Sequence, residues 1–163
     1  MEIAGFDTQI GGLSGGGTVN LRSETLTVNT PGSTSFAGAI RGAGGMSGTL
    51  LKKGAGTLSL SGVQAYDTLT AEEGLIVVNS AVGTGGSALN LSAGAAMKFG
   101  SVSQMISALN IEAGAKMTFT SGVASFGGSG KSFSGSSVVP DPGSVGLLLV
   151  GALGVRSRRR RQG

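Results

Sequence analysis

After the Gly-rich turn Gly54-Ala55-Gly56 the chain alternates strictly: Leu58 and Leu60 fall on one face, and Thr57, Ser59 and Ser61 on the other. Alternation of period two marks a half-buried β-strand. The same grammar recurs through most of the sequence. No segment before residue 145 carries helical periodicity.

The pattern is also repetitive. Ala88–Phe99 reads A-L-N-L-S-A-G-A-A-M-K-F and Ala108–Phe119 reads A-L-N-I-E-A-G-A-K-M-T-F, an offset of 20 residues. In each copy two short strands flank an Ala-Gly-Ala turn. Leu89, Leu91, Met97 and Phe99 share one face, matched by Leu109, Ile111, Met117 and Phe119, while Lys98 and Thr118 face water. Looser copies lie upstream. T-V-N-L and T-L-T-V-N flank Arg22-Ser23-Glu24, L-L-K-K and T-L-S-L-S flank Gly54-Ala55-Gly56, and T-L-T-A and L-I-V-V-N flank Glu72-Glu73-Gly74. On this alignment residues 30–48 are an insertion that carries Phe36 and Ile40. A unit near 20 residues with two or three strands cannot bury its own apolar face, so units must stack into a solenoid. Short strands with frequent turns also suit an antiparallel sandwich or meander. The return of one side-chain type at one place in each unit favours the solenoid.

Composition adds two points. Glycine supplies 32 of 163 residues, which suits many tight turns, and it lacks the every-third spacing of collagen. Cys and His are absent, so disulfides are excluded and a structural zinc site is not expected. The net charge of +4 belongs to one end. Residues 1–137 hold seven basic and seven acidic side chains, whereas Arg156, Arg158, Arg159, Arg160 and Arg161 crowd the last eight positions. A nucleic-acid surface spread over the body is not supported.

G-A-G-T-L-S-L-S-G at 54–62, preceded by L-L-K-K and followed by E-G-L-I-V-V-N, resembles the autotransporter-associated β-strand repeat. L-S-G-G-G-T-V-N-L at 13–21 and T-L-T-V-N at 25–29 resemble the sequence that precedes that repeat. The resemblance spans roughly residues 13–99 and implies a right-handed parallel β-helix of an exported, cell-surface passenger. Val63-Gln64-Ala65-Tyr66-Asp67 departs from the usual Gly/Asn/Thr-rich linker, and no series of alternating barrel strands follows.

From Ser121 to Val138 the chain is rich in Gly and Ser and reads as a linker or a frayed last rung. The tail differs in kind. Val139-Pro140-Asp141-Pro142-Gly143-Ser144 precedes an apolar run, Val145–Val155, and then R-S-R-R-R-R. The three parts in this order resemble the PEP-CTERM sorting signal read by an exosortase, with Asp141 where Glu is usual and a short apolar run. Eleven residues make about 16 Å of helix, against the roughly 20 residues of a full span, so the expected element is a short hydrophobic helix beside the inner membrane. By the resemblance, Pro140-Asp141-Pro142 is the processing motif, and the five arginines are a basic anchor retained on the cytoplasmic side. Met1-Glu2-Ile3-Ala4-Gly5 shows no basic start and no apolar run, so a signal peptide is not part of this stretch. A sorted protein needs one, and the chain is therefore expected to be a fragment or to have a misplaced start.

Candidate chemistry is sparse. G-G-S-G-K-S at 127–132 ends like a phosphate-binding loop, but Ser125 occupies the place of its first Gly and no helix pattern follows; a linker fits better. Glu72-Glu73 is the acidic pair, and in a turn both are expected in solvent. Asp7, Glu24, Asp67 and Glu112 are isolated in sequence, although stacking could bring some together. Lys52 and Lys53 are expected on solvated faces. Lys98 and Lys116 could approach each other and hold an acidic polysaccharide weakly. Asn90 and Asn110 match in the repeat and predict a stacked amide ladder. Tyr66 reads as packing or loop.

The sequence therefore predicts an all-β protein: solenoid repeats over 1–120, a linker over 121–138 and a sorting tail over 139–163. The expected function is structural and adhesin-like: an exported repeat protein of the cell surface or extracellular matrix. It has no cofactor, no metal and no catalytic residues. Its expected partners are an exosortase-type enzyme, the inner membrane through 145–155, and extracellular polysaccharide. The alternatives are a fragment of a carbohydrate-active β-helix enzyme or a carbohydrate-binding module.

Overall fold

The computed structural model describes residues 1–3, 5–42, 48–80, 87–100 and 104–120, and the backbone of three further strands at 123–126, 132–134 and 137–138. The described elements are strands throughout: β1 (Thr8–Ile10), β2 (Thr18–Arg22), β3 (Thr25–Asn29), β4 (Ser33–Phe36), β5 (Ala39–Gly42), β6 (Thr49–Lys53), β7 (Thr57–Leu60), β8 (Gln64–Ala65), β9 (Thr68–Ala71), β10 (Leu75–Val78), β11 (Ser87–Leu91), β12 (Ala96–Phe99), β13 (Gln104–Ile111), β14 (Lys116–Phe119), β15 (Val123–Phe126), β16 (Ser132–Ser134) and β17 (Ser137–Val138). They form three sheets. An eight-stranded sheet runs β1-β3-β6-β9-β11-β13-β15-β16, a six-stranded sheet runs β17-β14-β12-β10-β7-β4, and a three-stranded sheet holds β2-β5-β8. Neighbouring strands in each sheet come from successive passes of the chain and are parallel, except at the C-terminal end. This is a β-solenoid. We call the sheets the long, middle and short walls.

Each pass stacks like on like. Inside the long wall, Leu26, Leu50, Leu69, Leu89 and Leu109 share one register column. Inside the middle wall, Phe36, Leu60, Val78, Phe99 and Phe119 share another. Phe99 and Phe119 lie with ring centroids 5.0 Å apart at 13°, a stacked pair. The predicted pairs Leu89/Leu109, Leu91/Ile111, Met97/Met117 and Phe99/Phe119 are all in register. Their side chains belong to one continuous core, with Leu109 and Ile111 partly buried at its margin.

The upstream alignment needs correction. T-L-T-V-N of β3, not T-V-N-L of β2, pairs with T-L-L-K-K of β6, with Leu26 opposite Leu50. Residues 30–48 are no insertion: β4 and β5 lie there, and Phe36 and Ile40 are core residues. The segment is part of a full pass across all three walls. Likewise Val63–Asp67, which departs from the repeat pattern, holds the short wall: Gln64, Ala65 and Tyr66 are buried.

Corners between walls require glycine where passes touch backbone to backbone. A Cβ on Gly56 would lie 1.9 Å from the Gly32 carbonyl oxygen, and one on Gly74 would lie 2.4 Å from that of Gly56. The corner hydrogen bonds Thr57 N–H to Gly32 O, Leu75 N–H to Gly56 O and Ala96 N–H to Gly74 O continue the middle-wall ladder into this column. The stretch expected as linker or frayed rung supplies β15, which extends the long wall in parallel. β16 and β17 then pair antiparallel with β15 and β14. The predicted hydrophobic helix at 145–155 lies outside the described residues.

Candidate functional site

The parallel register turns each outward face into straight columns of side chains about 4.8 Å apart. On the middle wall Ser33, Thr57, Leu75, Ala96 and Lys116 form one column, and Ser35, Ser59, Val77, Lys98 and Thr118 the next. Lys98 stands opposite Thr118, and Lys116 opposite Ala96. The two lysines are thus diagonal neighbours on one face, a separation of about 7–8 Å between backbones. Both are exposed, and neither forms an ion pair with a described residue. No carboxylate stands among the described outward positions of this wall. The face is hydroxyl-rich at one end and cationic at the other.

The outer long wall is polar and uncharged at its centre. Thr25, Thr49 and Thr68 form one column, and Gln9, Thr27, Leu51, Thr70, Asn90 and Asn110 the next. Asn90 and Asn110 are in register, as the repeat predicts, and the Asn90 amide donates to Thr70 Oγ1 at 3.4 Å.

The carboxylates tie passes together at the corners. Asp7 Oδ1 accepts from the Thr25 N–H at 2.7 Å, and Glu112 Oε2 accepts from the Ala93 N–H at 3.0 Å. Glu72 pairs with Lys53 Nζ at 3.1 Å and is half-buried rather than free in solvent, while Glu73 is exposed. Among the described residues no cluster of three or more acidic side chains could hold a metal ion.

Lys52 corrects the expectation of a solvated face. It is fully buried, because alternation puts it on the same side of β6 as Leu50. Its column neighbours are Val28 and Ala71. The ammonium donates to the carbonyls of Lys53 and Gly54 at the corner. Burial pulls its pKa below the ordinary value, and the charge of Glu73 partly offsets that. The stacked small side chain of Ala71 is the signal in the sequence that could have placed it: a long stem fits beside a short neighbour.

A second buried polar group was not anticipated. Gln64 and Tyr66, in and beside β8, and Ser87 and Gln104, at the starts of β11 and β13, are all buried. Ser87 Oγ donates to the Tyr66 carbonyl at 2.5 Å, Gln64 Nε2 to Gly62 O at 3.0 Å, and Gln104 Nε2 to Ser80 O at 3.0 Å. Tyr66 Oη and Gln64 Oε1 have no hydrogen-bond partner among the described residues, and burial pushes the phenol's pKa up. Gln64 sits opposite Ile40, so at β8 a polar side chain takes over an apolar column.

The sorting motif Val139–Ser144 and the arginines at 156 and 158–161 lie outside the described residues. Among the described residues no helix is long and apolar enough to cross a membrane.

No family model and no solved structure matches the chain. Among curated proteins it is similar to the adhesin BmaC autotransporter of Brucella suis biovar 1 (strain 1330), 39% identical over 103 residues. The match covers 59% of this chain and 3% of that adhesin, so the chain corresponds to a small part of its relative.

Proposed function

We propose that this chain is an adhesin-like structural repeat segment of an exported, cell-surface or extracellular-matrix protein, and that it assigns no reaction to its side chains. The observation that carries the reading is the solenoid's outward columns, together with the similarity of 59% of the chain to an autotransporter adhesin. Such columns repeat one side-chain type over several passes. They suit attachment to an extended, repetitive partner better than enclosure of a small substrate. The carboxylates support the same reading, since Asp7, Glu72 and Glu112 hold corners rather than converge.

The middle wall is the proposed attachment face, and acidic polysaccharide is its proposed ligand. Lys98 and Lys116 supply the charge, and the Ser and Thr columns supply donors. Two exposed cations give weak binding that salt weakens further. With Arg156 and Arg158–Arg161 changed to Ser to remove the basic tail, the chain should be retained by immobilised acidic polysaccharide at low ionic strength and released near 0.5 M salt, a screening length of a few ångströms. Lys98→Ser with Lys116→Ser should abolish retention without shifting thermal unfolding by more than about 0.5 kcal/mol, because both side chains are exposed. Equal retention of the double variant would refute this face.

For the tail, the reading is sorting. Pro140 and Pro142 each disfavour helix at themselves and at the residue before, which suits a motif that a processing enzyme takes into its cleft. Expressed behind a supplied signal peptide, the chain should lose Arg158–Arg161 in a host with a cognate exosortase and keep them in a host without one, as read by intact mass. Retention in both hosts would reduce the tail to a basic membrane-surface anchor.

A further inference from the structure

The outward face of the middle wall holds a patch that the charge of Lys98 and Lys116 does not account for. Leu75 and Val77 are the outward residues of β10. They are in register with Ala96 and Lys98 of β12 on one side and with Thr57 and Ser59 of β7 on the other. The next pass places Lys116 opposite Ala96. Column neighbours stand about 4.8 Å apart, and residues two apart on one strand about 6.6 Å. Leu75, Val77 and Ala96 thus form one apolar island, bordered on one side by two hydroxyls and on the other by two ammonium groups.

A single outward aliphatic side chain on a sheet is ordinary. Leu51, the outward leucine of the long wall, is of that kind, with Thr27 and Thr70 as its column neighbours. The middle-wall island differs in being contiguous and in its border. Val77 stands directly beside Lys98, and only the methyl of Ala96 separates Leu75 from Lys116. The three island residues are partly exposed, and both lysines are exposed. Among the described outward positions of this wall none is aromatic. An aromatic ring would offer a broad platform for the face of a sugar ring. Branched aliphatic side chains side by side offer instead a small apolar seat, the size of a methyl group.

We propose that this island seats the methyl of an acetyl group, and that the ligand of the wall is an acetylated polyuronate. The inference rests on the attachment face proposed above and names its ligand more closely. The three chemistries of the face match three groups on such a polymer. A carboxylate meets Lys98 or Lys116, the acetyl methyl lies on Val77 and Leu75, and the acetyl carbonyl accepts from Thr57 or Ser59. Ser59, Val77 and Lys98 follow one another in one column, so the hydroxyl and the ammonium stem are two passes or about 9.6 Å apart. A carboxylate and an acetyl ester on one sugar residue, or on two adjacent ones, span that distance. The unpaired cations select an anionic partner. Three short, partly buried side chains offer no wedge to enter a bilayer, which selects a polymer lying along the face over a membrane.

The test uses the chain with Arg156 and Arg158–Arg161 changed to Ser. Its probe is one polyuronate immobilised in two forms, chemically O-acetylated and after mild alkaline removal of the esters, which leaves the carboxylates in place. The acetylated form should bind about fourfold more tightly, the gain from burying one methyl-sized group. Val77→Thr keeps the branched shape of the side chain and its strand, and should bring binding of the acetylated form down to that of the bare form with an unchanged far-ultraviolet spectrum. Leu75→Ser should do the same. Lys98→Ser should weaken both forms and keep a preference between them. Equal binding of the two forms, or a preference that survives both Val77→Thr and Leu75→Ser, would overturn this inference and leave the charged attachment face standing. Binding of neither form would overturn both. Capture by vesicles of anionic phospholipid that Val77→Thr abolishes would assign the island to a membrane surface and overturn the inference as well.

Discussion

Lys52 shows how one residue can oppose its surroundings and still fit. Its stem fills a core column between Val28 and Ala71, and its charged end finds two corner carbonyls. A buried ammonium gains less from such bonds than it loses in hydration. Lys52→Met keeps the volume and drops the charge, and should raise the unfolding free energy by about 1 kcal/mol at neutral pH. The pH dependence follows from the lowered pKa. The unfolded chain keeps this proton up to the ordinary 10.5, while the folded chain releases it earlier. Between the two values the unfolded state binds more protons, so stability rises with pH, and the gain is lost as pH falls through the folded value. Urea titrations of both proteins from pH 7 to 11 should show the parent gaining on Lys52→Met as pH rises, while the fall above pH 10 that the raised Tyr66 pKa imposes is common to both. Lys52 was not legible from hydropathy, which sends lysine to water. The alternation in Leu50-Leu51-Lys52-Lys53 did place it on the face of Leu50, and that geometric signal outweighed the chemical one.

At the scale of single elements the corners govern. Gly56 and Gly94 look alike in sequence, each within an Ala/Gly turn, and they fail differently when substituted. Gly94 has φ +81° and open space around a built Cβ, so Gly94→Ala costs backbone strain alone, about 1 kcal/mol. A Cβ on Gly56 collides with the Gly32 backbone, which cannot rotate away, so Gly56→Ala should cost about 3 kcal/mol or more. Thermal unfolding of the pair should separate them by roughly 4–8 °C. The difference is invisible in sequence because it depends on what the previous pass places against the turn. The strands themselves were legible wherever a copy repeated cleanly. A-L-N-L and A-L-N-I predicted the pairing of β11 with β13 residue by residue. Farther upstream T-V-N-L and L-L-K-K look equivalent as strands before a turn, yet they belong to different walls. Alternation names a buried face and cannot name the wall that it lines.

For the molecule as a whole, stability is set by neighbouring passes rather than by long-range packing. Residues 92–111 make one full period, as the pairing of Leu91 with Ile111 shows. Their removal joins Leu91 to Glu112 and returns every later residue to an equivalent place. The shortened chain should fold with the same strand-rich spectrum and a lower unfolding free energy. Deleting residues 92–110 instead leaves an extra residue, shifts the following face by one and turns apolar columns outward. That chain should be collapsed or aggregated. Circular dichroism with urea unfolding of the two deletions checks both outcomes. The proposed attachment and sorting roles rest on patterns of surface and tail, since a face with two lysines presents no converging side chains to read.

The separate stacking of each pass has a mechanical consequence. A load applied along the solenoid axis pulls on one terminal pass at a time, because neighbours are joined by backbone ladders and share no covalent link beyond the chain itself. Each pass that peels away frees about 20 residues, or roughly 65 Å of slack, in exchange for about 4.8 Å of stacked height. Under tension such a tether would lengthen in steps more than ten times the thickness of the layer that yields. It would dissipate work at every step while the passes behind it stay closed.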